Sequence, residues 1–145
     1  MAEHVFLDTN VVLDHLADRQ PFSEHAHRLF ALAETGKLLL SVSSLTFCNL
    51  YYLLRKLNGN EQALVLLEKL SQLVKITTVG KTEILAALGG DFRDFEDAVQ
   101  AHSALAAAAT NTIVTRNKDD FPAAKLPVKS PEEYLEWFEN RMPKT

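Results

Sequence analysis

The chain has 145 residues, 47% hydrophobic and 23% charged, with a formal net charge of −4 and a single cysteine, Cys48. That length suits one domain, read here as residues 1–145, which buries roughly two-thirds of its unfolded surface without staples. One cysteine excludes an intramolecular disulfide and a cysteine-rich zinc site, no apolar run reaches the ~18 residues of a membrane span, and the acidic balance argues against coating DNA through bulk positive charge. The start, Met-Ala-Glu-His, lacks the basic residues of a signal peptide, so a soluble cytoplasmic protein with no membrane association is expected.

Strand and helix signals alternate along the chain. Residues 4–7 are a short β-favouring run, and Val11, Val12 and Leu16 begin a helical pattern. Residues 21–35 read as a second helix, with Leu29, Phe30, Leu32 and Ala33 apolar and Gly36 as its stop. Residues 38–42 read as a buried strand. Residues 46–57 read as a helix ending at Asn58 and Gly59, and Asn60 is placed as the cap of the next helix, which runs to about residue 73. A β-branched strand at 76–79, a short helix at 83–88, a long alanine-rich helix at 94–109 and a strand at 112–115 follow. Residues 127–129 form a last short strand. Ser130-Pro131-Glu132-Glu133 then supplies a cap, a proline at the first helical position and a capping-box glutamate. The pattern defines an α/β fold, a three-layer α/β/α sandwich around a parallel sheet of four to five strands. In such sheets the chemistry lies beyond the carboxyl ends of the strands.

Three segments bring carboxylates to that edge. Asp8 directly follows the first strand, and Asp120 follows the strand at 112–115. Asp94 and Asp97 open the alanine-rich helix on one face of its first turn. Glu96 is turned about 100° from Asp97 and is read as facing solvent. Taken singly, Asp8 also suits a turn or cap, Asp94 a helix cap, Asp97 the helix dipole, and Asp119–Asp120 a solvated pair. Together, clustered carboxylates repel unless a cation lies between them, and hard oxygen donors without thiolate favour Mg²⁺ or Mn²⁺.

These residues also carry a resemblance. Val5-Phe6-Leu7-Asp8-Thr9-Asn10-Val11-Val12-Leu13-Asp14, Ser41-Val42-Ser43-Ser44-Leu45-Thr46, Asp94-Phe95-Glu96-Asp97-Ala98 and Thr115-Arg116-Asn117-Lys118-Asp119-Asp120-Phe121 stand in the order and spacing of a PIN domain. The chain resembles that family of small metal-dependent ribonucleases, which includes the VapC toxins of toxin–antitoxin pairs. The resemblance implies that Asp8, Asp97 and Asp120 are catalytic and hold Mg²⁺ or Mn²⁺. Many members carry the last acid at the position of Asn117, and the choice between Asp119 and Asp120 stays open. It further implies that Asn10 and Thr115 orient the acids, that Asp94 sits just outside the metal shell, and that Asp14 belongs to the opening motif. The family's usual glutamate on the helix after the second strand is replaced here by Asn49, which brings no charge.

The implied activity is a single-strand-directed endoribonuclease that hydrolyses RNA with a metal-activated water, with an antitoxin partner and a homodimeric state. A PIN fold kept for RNA or partner binding is the alternative that Asn49 motivates. A phosphatase of the haloacid dehalogenase kind needs a second aspartate where Asn10 stands. Arg93, Arg116 and Lys118, with Arg55 and Lys56, are the candidates for touching RNA phosphates. Gly80-Lys81-Thr82 lacks the glycine of a phosphate loop at position 75 and reads as a helix start. The five histidines lack metal-binding spacing, and Tyr51 and Tyr52 read as core or dimer interface.

Overall fold

The computed structural model describes residues 2–90, 94–107, 109–121 and 125–141. Its centre is β1 (Glu3–Leu7), in which Val5, Phe6 and Leu7 are all fully buried. Alternate residues of a strand point to opposite faces, so a strand buried at successive positions must be covered on both sides. Four further strands run parallel to it: β2 (Leu38–Ser43), β3 (Lys75–Thr77), β4 (Thr112–Val114) and β5 (Val128–Lys129), in the order β3-β2-β1-β4-β5. This is the parallel α/β fold expected from the sequence.

Val5 and Leu7 face a layer built from α1 (Thr9–Leu16), α2 (Ser23–Glu34), α3 (Ser44–Asn58), α4 (Asn60–Leu73) and α7 (Pro131–Arg141). Phe6 and Ile113 face the opposite layer, where α6 (Phe95–Ala106) supplies Ala101 and Ala104. Beside it, α5 (Lys81–Leu88) packs Ala87 on Ala98 and Val99 of α6. The small alanines of α6 let that helix lie close to the sheet.

Most helix ends follow their local chemistry. α2 stops at Gly36, whose φ of 74° only glycine adopts without strain. The Gly36 amide donates to Ala33 O at 3.1 Å and that of Lys37 to Leu32 O at 3.0 Å, the paired bonds that close a helix C-terminus. At α7 the Ser130 amide donates to Glu133 Oε1 at 2.9 Å while the Glu133 amide donates to Ser130 Oγ at 3.1 Å, so the capping box is complete. Two expectations are corrected. Gly59, not Asn60, caps α4; Asn60 is its first residue, and its Oδ1 accepts the Tyr51 hydroxyl at 2.5 Å. α6 ends at Ala106, before Ala109, whose φ of 68° is outside the helical region.

The strand order places the site. From β1 the chain steps outward through β2 to β3, then returns to the other side of β1 for β4. The helical connections that begin at the ends of β1 and β4 therefore diverge, and a crevice opens where they part. Asp8 leaves β1 at that point and Thr115 leaves β4 beside it.

Candidate active site

Asp8 is 5% exposed and caps α1. Its Oδ1 accepts the Thr9 amide at 2.9 Å and its Oδ2 accepts the Thr115 hydroxyl at 2.8 Å. Thr115 Oγ1 in turn accepts the Asn117 amide at 3.0 Å, so the turn after β4 holds the carboxylate by a two-step chain. Burial raises the Asp8 pKa; the bonds from Thr115 and Thr9 pull it back only in part, Asp120 adds to the rise, and Arg116 opposes it.

The crevice above Asp8 is an open cleft of about 480 Å³. Asp8, Asp97 and Asp120 line it, with Asn10, Asn49, Asp94 and Asn117. Asp119 is exposed and does not line the cleft, so of the two neighbouring acids it is Asp120, at the end of the short 3-10 turn Lys118–Asp120, that faces it. Asp94 caps α6, its Oδ1 accepting the Asp97 amide at 3.0 Å, and thereby sets the first turn from which Asp97 projects. Asp97 is pushed up to about 7, first by burial and then by the negative charges of Asp8, Asp94, Asp120 and Glu96. The carboxylates of three separated segments thus sense one another across the cleft.

Glu96 is exposed, as expected, and also borders the cleft. Its Oε1 accepts Asn49 Nδ2 at 2.6 Å. Partial burial raises its pKa, as do Asp94 and Asp8, against the Asn49 donor. In a first helical turn side chains lean past the N-terminus, so an exposed residue there still reaches what lies beside it.

The cations differ from expectation. Arg116 is not free for a phosphate: its Nε donates to Asp14 Oδ2 at 2.7 Å and its Nη2 to Asp14 Oδ1 at 3.2 Å. Arg19 Nε reaches the same carboxylate at 3.0 Å, and the Phe22 ring stacks 3.8 Å from the Arg116 guanidinium carbon. Asp14 is 1% exposed, and a buried carboxylate demands such compensation. Lys118 pairs with Glu133 of the α7 capping box at 2.8 Å. Arg93 lies outside the described residues. Among the described cations, Arg55 is exposed beside the cleft rim, its guanidinium 5.6 Å from the ring of Tyr52, which itself lines the cleft.

A residue the sequence did not single out joins these parts. Gln100, one turn beyond Asp97, is 1% exposed. Its Nε2 donates to Thr9 Oγ1 at 3.0 Å and Thr46 Oγ1 at 2.7 Å, and its Oε1 accepts Ser43 Oγ at 2.5 Å. It ties the starts of α1 and α3 to the middle of α6. A glutamine on the alanine face of a buried helix was the available signal.

The donor set fits a hard divalent cation: carboxylate and amide oxygens and, among the described lining residues, no thiolate. Among the described residues no three His, Cys, Asp or Glu side chains are gathered tightly enough to hold a metal ion as they stand, the spread arrangement that like charges favour.

The chain belongs to the PIN domain family, whose model matches residues 4–119. It is 27% identical over 140 residues to ribonuclease VapC1 of Aquifex aeolicus (strain VF5), a match that covers 93% of this chain and 95% of that protein. It is also similar in fold to VapBC2 from Rickettsia felis bound to a DNA fragment from their promoter, with a TM-score of 0.63 at 20% identity over 88% of this chain and 98% of that one. A toxin–antitoxin complex from Klebsiella pneumoniae matches with a TM-score of 0.64 at 19% identity, over 88% of this chain and 97% of that one.

Proposed function

We propose that this chain is a metal-dependent endoribonuclease, the toxin of a toxin–antitoxin pair, working as one PIN domain in the cytoplasm. The observation that carries the reading is the gathering of Asp8, Asp97 and Asp120, from three separated segments, on one cleft, where like charges repel and a cation would balance them. Asp8, Asp97 and Asp120 would hold Mg²⁺ or Mn²⁺. Such an ion supplies a Lewis acid for phosphate oxygens and for water. Thr115 and the Thr9 amide fix the rotamer of Asp8, and Asp94 fixes the turn that carries Asp97. Arg55 and Tyr52, side by side with Tyr52 on the cleft, would serve a single strand, one supplying charge and the other a ring for a base.

The relatives named a ribonuclease and a toxin–antitoxin complex support this reading. An exposed apolar face on α3 and α4, with Leu57 at 61% and Leu64 at 51% exposure, supports a protein partner, either an antitoxin or a second copy in a homodimer. Among the described residues no helix is long and apolar enough to cross a membrane.

The test is cleavage of a structured-RNA pool by the purified, partner-free chain in Mg²⁺, Mn²⁺ or EDTA, beside Asp8→Ala and Asp97→Ala. Metal-dependent cleavage lost in both variants supports the nuclease. Folded protein that neither cleaves nor binds Mn²⁺ points instead to a PIN fold retained for binding, the reading that the neutral Asn49 favours.

A further inference from the structure

The amide of Asn49 and the carboxylate of Glu96 form one unit at the cleft. Asn49 sits on α3, at the position where the resembling family usually carries an acid. Asn49 Nδ2 donates to Glu96 Oε1 at 2.6 Å, across 47 residues of sequence, from one wall of the cleft to the other. Both residues line the cleft that holds Asp8, Asp97 and Asp120. A side chain at the exposed start of a helix loses rotamer freedom only when something holds it. Here the holder is a neutral donor, and among the described residues the second carboxylate oxygen, Oε2, accepts no hydrogen bond. An arginine or lysine in the place of Asn49 would cancel the charge of Glu96; an amide orients it and leaves the charge intact.

We propose that Glu96 supplies the fourth carboxylate of the cation site and that Asn49 is its positioning residue, so that the charge absent from α3 is carried by α6. This rests on the nuclease reading above and deepens it. On this assignment Asn49 is no mark of a weakened enzyme: the site holds four acids, Asp8, Glu96, Asp97 and Asp120, two of them on consecutive positions of one helical turn. The other acid at the mouth, Asp94, has an oxygen engaged in capping α6.

The experiment is Mn²⁺ binding to the full chain, read by loss of the electron paramagnetic resonance signal of free Mn²⁺, with circular dichroism melts as the folding control. Variants are Glu96→Gln, Asn49→Ala, the pair Asn49→Ala/Glu96→Gln, and the transposed pair Asn49→Glu/Glu96→Gln. Glu96→Gln is expected to weaken Mn²⁺ binding about 10-fold, as loss of one charged ligand does. Asn49→Ala is expected to weaken it about 3-fold in the parent and not at all in the Glu96→Gln background, because its effect runs through Glu96. Asn49→Glu/Glu96→Gln is expected to recover most of the parent affinity, since the charge returns to the cleft from the other wall. Parent protein that binds Mn²⁺ equally well with Glu96→Gln overturns the assignment of Glu96 while leaving the nuclease reading intact. Folded parent protein that binds no Mn²⁺ overturns both.

Discussion

Two aspartates six residues apart, Asp8 and Asp14, are both buried and belong to the same strand–helix unit, yet their surroundings are opposite. Asp14 is enclosed by two guanidiniums, one of them stacked on Phe22. Asp8 has one hydroxyl and one amide, and its nearest like-charged neighbours lie across an open cleft. The compensated carboxylate closes the structure, fastening the turn after β4 to α1. The other carries its charge to the open cleft, opposite Asp97 and Asp120. Burial alone therefore does not distinguish the two acids; the ion pairs around Asp14 do.

The contrast is broken most directly at Asp14. Asp14→Ala strands Arg116 beside Phe22 and is expected to destabilise the protein by about 3–5 kcal/mol, measured by urea unfolding. Asp8→Asn is expected to do the reverse: RNA cleavage falls on the order of 100-fold or more, while stability changes by about 1 kcal/mol or less because asparagine still caps α1. If the two variants lose stability equally, the contrast fails.

A third expectation concerns pH. His15, whose Nδ1 lies 2.6 Å from His27 Nδ1 and whose ring stacks on Phe30, is held down to about 4 by burial first and by His27 next. Its folded pKa lies below the ordinary 6.5, so the unfolded chain takes up the extra proton first. Stability is full above pH 6.5 and declines as pH falls toward 4, by on the order of 1 kcal/mol. His15→Phe is expected to flatten that slope in melts taken between pH 4 and 7. The smallest effect is at the cleft again. In EDTA at pH 8, Asp97→Asn is expected to raise stability by roughly 0.5–1 kcal/mol through relief of repulsion, and added Mn²⁺ is expected to erase the advantage.

Much of this was readable from residue order. The strands announce themselves through short β-branched or leucine runs, and Ser130 to Glu133 spells a helix start that the structure realises atom by atom. Asp8, Asp97 and Asp120 could be placed at one edge because parallel strands end together. What stayed hidden depends on partners far away in the chain. Arg116 looks like a free cation until Asp14, 102 residues earlier, is seen against it. Gln100 reads as one more residue of an alanine-rich helix until Thr9, Ser43 and Thr46 close around it. Glu96 reads as a solvated residue and nothing more until Asn49, 47 positions earlier, is seen against it. Long-range pairing and helix-end geometry are the two quantities that local pattern does not encode.

The bond from Thr115 to Asp8 spans 107 residues. β1 finds its neighbour β4 only across that same interval, with Val5 beside Thr112. A growing polypeptide therefore carries its first acid long before the strand that steadies it exists. During synthesis the cleft is unassembled until residue 115 has left the ribosome. The order of translation thus delays assembly of the cleft until β4 has emerged.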